Sequence, residues 1–216
     1  MTEKFSQLWL NSTSANNGYL RTTEFNDVLY SLQHCKKCLE GTSENVQNWK
    51  WVIISTQAAL QGAYVCHLND TAQLNVLSTK SAEKWLTWYN DPKNNKSNPP
   101  NCYIDYFKEL HEKIRMGFPN AGQAITYSNI QNDAVNLLID LRNQFTHFSP
   151  CGWSIELLGL PNMTLRCMEI IELIEKDDWP FRHMSQNNKA ELKDTVQNIK
   201  NECSQLHKEY YNKWNS

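Results

Sequence analysis

Apolar residues recur at intervals of three and four along almost the whole 216-residue chain, with no long alternating runs. That period is helical, because residues three and four apart share one face of an α-helix. Phe25, Val28, Leu29, Leu32 and Leu39 fall on such a face, with Thr22 and Thr23 as caps and Gly41 as a stop. From Ser43 a longer stretch opens in which Trp49, Val52, Ile53, Leu60, Ala63 and Tyr64 keep the spacing. Apolar residues also spill outside that stripe, which predicts a helix buried on most sides. Ser81 to Asn90 predicts a short helix carrying Trp85 and Trp88. Tyr103, Tyr106, Phe107, Leu110 and Ile114 predict another, ended by Gly117 and Pro119.

Residues 91–101, rich in proline and asparagine, read as a loop inserted between these helices. The clearest helix follows. Ser128 and Gln131 form a capping box, and Ile130, Ala134, Leu137, Leu138, Leu141, Phe145 and Phe148 follow at helical spacing. Pro150 ends it, since a proline disfavours helical geometry in the residue before it. Residues 150–160 read as an irregular connection in which Trp153, Ile155 and Leu157 alternate, and a helix runs from about Pro161 to Asp177. The last helix spans about 185–214, with Leu192, Val196, Ile199, Cys203, Leu206 and Tyr210 in a narrow seam that suits the bundle or a second copy. The expectation is one domain over residues 1–216, an all-α antiparallel up-and-down bundle. Its core covers about 20–177, with the long C-terminal helix in addition.

A formal charge of −2 argues against a stable nucleic-acid platform held by bulk electrostatics, but not against an enzyme that touches a few phosphates. With seven glycines the chain has no glycine-rich phosphate loop and no nucleophile elbow. No segment reads as a signal core or as a membrane span of roughly 20 apolar residues. Seven irregularly spaced cysteines read as free thiols in a reducing compartment. The expectation is a cytoplasmic protein with no membrane partner.

Several short motifs invite chemistry and then lack a partner. Cys35-Lys36-Lys37-Cys38, preceded by His34, is half a zinc site without a second ligand pair, so Cys35 is expected on the apolar stripe and the others on a helix flank. His111-Glu112-Lys113-Ile114-Arg115 has arginine where a metalloprotease motif needs histidine, and is expected on a solvated face. His67 is expected at the edge of the core, and Arg182-His183 sits in a loop where it can meet phosphate. No metal and no cofactor are expected.

Arg142-Asn143-Gln144-Phe145-Thr146-His147 remains. An arginine and a histidine separated by four to six residues arise by chance in roughly 0.4 of chains of this composition, and asparagine directly after the arginine lowers that to about 0.05. The pair lies at the C-terminal end of the clearest helix. At about 100° per residue, Arg142 and His147 are roughly 140° apart around a regular helix and cannot form a tight pair there. Either the last turn unwinds near His147, or each group meets partners from a second copy across a twofold axis.

The helical layout together with this R-N-x-x-x-H stretch resembles the HEPN superfamily (higher eukaryotes and prokaryotes nucleotide-binding domains), whose signature is R-x(4–6)-H. The stretch Leu141 to Pro161 is similar to that of bacterial members carried on mobile elements. The resemblance implies a helical bundle that forms a homodimer, with two motifs lining one cleft. Many members are metal-independent endoribonucleases of toxin–antitoxin, defence or RNA-processing systems, and others are inactive modules that bind RNA or protein. On that resemblance Arg142 is the phosphate clamp, His147 the general acid/base, and Asn143 orients His147 or a phosphate oxygen. RNA would be cut by 2′-OH attack to a 2′,3′-cyclic phosphate, with an antitoxin or regulator protein as a possible further partner. A toxin subgroup carries a tyrosine two residues after the histidine. Here that position is Ser149, so control through that tyrosine is not implied. An unrelated helical interaction protein, using the C-terminal seam and exposed tryptophans, is the third reading.

Overall fold

The computed structural model describes residues 20, 22–69, 72–91, 98–117, 124–147, 150 and 152–216. The described residues form an all-α bundle of helices α1 (Glu24–Glu40), α2 (Trp49–Leu68), α3 (Thr79–Asn90), α4 (Phe107–Met116), α5 (Asn129–Thr146), α6 (Gly159–Glu175) and α7 (Gln186–Trp214). Pro119, Phe148, Ser149 and the middle of the 91–101 loop, for which the sequence raises expectations, lie outside the described residues.

Helix α2 is the axis of the core. Trp49, Val52, Ile53, Ala59, Leu60, Ala63, Tyr64, Cys66 and Leu68 are all buried, as are the polar Ser55, Thr56 and Gln57. Helices α1, α4, α5 and α6 pack around it, and α7 closes the ring by lying against α1 and α6. The seam of α7 is buried in its own bundle, from Leu192 to Leu206, and Tyr210 accepts a 3.0 Å hydrogen bond from Nε1 of Trp49. Helix α3 stands apart, with Ser81 its only buried residue.

Local signals account for the boundaries. Thr23, Ser78, Ser128 and Ser185 each cap a helix through a side-chain oxygen, and the Ser128–Gln131 capping box is complete. Pro161 sits in the first turn of α6, where its missing N–H has no partner to lose. Gly117 ends α4 at φ 69°, a conformation that favours glycine.

The structure corrects several expectations. Ser43 does not open α2: residues 41–45 form a turn, Asn45 caps a 3₁₀ turn at Val46–Asn48, and α2 begins at Trp49. Tyr103 and Tyr106 are not helical and are largely exposed. Their neighbours spend backbone groups across the chain instead, with Ser78 N–H donating to Tyr103 O at 3.1 Å and Asp105 N–H to Val76 O at 2.9 Å. Lys113 locks this pairing, 2.9 Å from Asp105 and donating to Asn75 O and Leu77 O. On α5, Ile130 and Leu137 are 63% and 42% exposed, because the buried stripe is centred on Ala134, Val135, Leu138 and Leu141. Cys38 is buried beside Cys35 rather than on an open flank.

His111 is the largest correction. It is buried, not solvated, because it shares the inward face of α4 with Leu110 and Ile114. Its Nε2 lies 3.0 Å from Asn132 Oδ1, an acceptor, so Nε2 carries the proton and Nδ1 accepts from the Tyr64 hydroxyl at 2.8 Å. Tyr127 stacks on the ring at 5.2 Å. This chain links α2, α4 and α5, and burial pushes the imidazole below its ordinary pKa.

Two outcomes follow from this packing. A Cβ at Gly62 would lie 2.7 Å from Val28 Cγ2, a stiff and fully buried side chain. Gly62→Val is expected to cost about 2–3 kcal/mol by overpacking, seen as a lower midpoint in thermal or urea unfolding. The second concerns pH. A ring neutral in the fold but protonated below about pH 6.5 when unfolded makes unfolding take up a proton as pH falls. Stability is therefore expected to drop from pH 7 to pH 5, and His111→Gln to flatten that slope in urea titrations. Glu172, held below its usual range by hydrogen bonding to Lys200, contributes stability that is lost only as pH falls below about 4.5, outside this window.

Candidate functional site

The clearest helix delivers the R-N-x-x-x-H stretch to one end of the bundle. Leu138 and Leu141 anchor α5 against the core, and the helix ends at Thr146. His147 is the C-cap at φ −113°, ψ 51°, outside helical geometry, while its N–H still donates to Asn143 O at 2.8 Å. Thr146 Oγ1 donates to Arg142 O at 2.8 Å and lies 3.3 Å from Asn143 O. The last turn thus stays closed through the backbone while the His147 side chain is released from the helical register.

Arg142 and Asn143 come together, and His147 does not join them. Nη1 of Arg142 donates to Asn143 Oδ1 at 3.0 Å, so the asparagine carbonyl is turned toward the guanidinium rather than toward the imidazole. Among the described residues Arg142 forms no ion pair, with neither Asp140 nor Glu156 within 4.0 Å, and the His147 ring has no hydrogen-bond partner. Arg142 is half-buried and His147 exposed. A guanidinium held by a neutral amide keeps its full charge and its remaining N–H donors free for an anion.

Beside this helix end lies a groove of about 450 Å³ between the start of α2, Phe145 and the 152–157 segment. Trp153 meets Phe145 edge-on with ring centroids 4.7 Å apart. Exposure alternates from Gly152 to Leu157, so Trp153, Ile155 and Leu157 face the core as the alternation predicts, without forming a strand. The groove draws on segments about a hundred residues apart, and nothing in the local sequence of Gln47 and Lys50 marks them as its lining.

No protein-family model matches the chain, and no significant match emerges among curated proteins or solved structures. The remaining candidates are engaged elsewhere. Cys35 is packed in the core 3.4 Å from Thr56 Oγ1, and burial raises its thiol pKa to about 11. His34 lies against Cys38, and among the described residues no cluster of three metal-binding side chains occurs. His67 is buried 3.8 Å from Asp177. Arg182 stacks on Trp179 at 3.8 Å and donates to its carbonyl. Among the described residues no helix is long and apolar enough to cross a membrane.

Because Arg142 and His147 hold no buried partner, removing them is expected to leave the fold intact. Arg142→Ala and His147→Ala are each expected to shift unfolding free energy by no more than about 0.5 kcal/mol, measured by urea titration.

Proposed function

We propose that the chain is a HEPN-type, metal-independent endoribonuclease that works as a homodimer. The observation that carries this reading is the end of α5, where an ion-pair-free guanidinium and an exposed imidazole lie five residues apart at a helix terminus. Metal-free RNA cleavage needs a proton moved off the 2′-OH or onto the leaving 5′-oxygen, and histidine titrates near neutrality. The phosphorane carries added negative charge, which a guanidinium stabilises through paired N–H donors. Arg142 is then the phosphate clamp and His147 the general acid/base, with Asn143 setting the plane of the guanidinium.

The homodimer draws support from the same helix. Ile130 and Leu137 are exposed and seven residues apart, so they share one outward row of α5. That row is apolar surface that an isologous contact with a second copy would cover. Work in a toxin–antitoxin or defence system, in the cytoplasm and under an antitoxin or regulator protein, belongs to the same proposal.

The alternative is a catalytically silent HEPN-like module that binds RNA or protein, and the lack of an Arg142–His147 contact within one chain favours it. Cleavage in EDTA decides between them. Wild-type protein is expected to release 2′,3′-cyclic phosphate ends, with His147→Ala slower by about 10²–10⁴-fold and Arg142→Ala by about 10²–10³-fold. Equal cutting by all three proteins would remove the enzyme reading.

A further inference from the structure

The groove beside the motif helix has three properties that together describe one class of ligand. The first is aromatic surface. Phe145 and Trp153 are both half-buried, so each leaves part of its ring open to the groove, and Trp153 stands edge-on to Phe145. The second is a set of polar groups at the rim, Gln47 and Ser154, both exposed and able to bond the edges of a planar heterocycle. The third is charge. Lys50 lines the groove, with its ammonium 5.1 Å from the centre of the neighbouring Trp51 ring, and no carboxylate does among the described residues. Other grooves differ, one lined by Glu172, Glu175 and Asp194, another by Glu175, Asp177 and Asp178. In a chain with more acidic than basic residues, a groove with a cation and no acid favours an anion over a cation.

The geometry points to this groove as a subsite for one unstacked nucleotide of single-stranded RNA, its base against Trp153 and Phe145 and its phosphate toward Lys50. A base presents a π-face to aromatic rings whatever its identity, and its phosphate supplies the charge that Lys50 complements. Phe145 belongs to both places: it lines the groove and lies one helical turn from Arg142. A strand whose scissile phosphate sits at Arg142 would therefore lay a neighbouring nucleotide in the groove. The subsite rests on the RNA reading above and adds a strand-binding element to it. Duplex RNA, with its bases stacked inside, cannot use it.

The test uses a fluorescein-labelled, fully 2′-O-methyl octanucleotide, which cannot be cut by 2′-OH attack, and reads binding to the full chain by anisotropy. Trp153→Ala is expected to weaken binding on the order of 5- to 100-fold. Lys50→Glu is expected to weaken it about 10-fold or more and to reduce the slope of log affinity against log salt by about 0.7. Lys193→Glu, in the acidic groove, is expected to change nothing. Lys50→Glu decides alone if Trp153→Ala proves unfolded by circular dichroism. The subsite is overturned if the folded variants bind as wild type does, if duplex RNA binds equally well, or if a mononucleotide displaces the strand at micromolar concentration. Cleavage that depends on His147, with binding indifferent to Lys50 and Trp153, sinks the subsite and keeps the ribonuclease. Binding that depends on both residues, with no cleavage by any protein, keeps the subsite and sinks the ribonuclease.

Discussion

The close approach of α1 to α2 at Gly62 sets the spacing on which the bundle rests. No side chain stands between the helices there, so Val28 comes within 2.7 Å of where a Cβ would be. That contact lets α2 be enclosed by α1, α4, α5 and α6. A helix can be surrounded in this way because its backbone bonds close internally, and only its polar side chains need partners. They find them close by: Ser55 Oγ donates to Trp51 O at 2.5 Å, and Gln57 Nε2 donates to Gln61 Oε1 at 2.6 Å. With α2 fixed, α5 has one place to lie, and its far end presents Arg142 and His147.

What the sequence made legible was whatever a single helix decides for itself. The capping box at Ser128, the stop at Gly41 and the seam from Leu192 to Leu206 are local signals, and the structure keeps each of them. Features decided by a second segment were not legible. Tyr103 and Tyr106 have helical spacing, but their neighbourhood pairs with Ser78 and Val76, 25 and 29 residues earlier, and those backbone bonds outweigh periodicity. His111 was misplaced for a related reason. A histidine on an apolar face is costly unless it finds partners, and Tyr64 and Asn132 come from other helices.

The candidate site divides along the same line. The position of Arg142 and His147 at a helix end could be read from Pro150 and the stripe before it. The direction of Asn143 toward Arg142 could not, because an amide in a last helical turn can serve either neighbour. The groove was invisible for a stronger reason, since Lys50, Phe145 and Trp153 converge only when α2, α5 and the 152–157 segment are packed.

The two motif side chains differ in how firmly they are held, and that difference bears on mechanism. Arg142 sits within a closed helical turn and is tied to Asn143, so its guanidinium is pre-positioned. His147 lies past the last helical residue, with its ring unpartnered among the described residues. A general acid/base usually needs a third group to orient it, and one copy of this chain does not supply one. In the ribonuclease reading that group comes from the bound RNA or from the opposite protomer. Ile130 and Leu137 leave an apolar row open on the very helix that ends in the motif. At about 100° per residue Arg142 stands about 140° around α5 from Leu137, so a contact confined to that row leaves Arg142 outside it, and a twofold that joined the two motifs would have to run through the helix end itself.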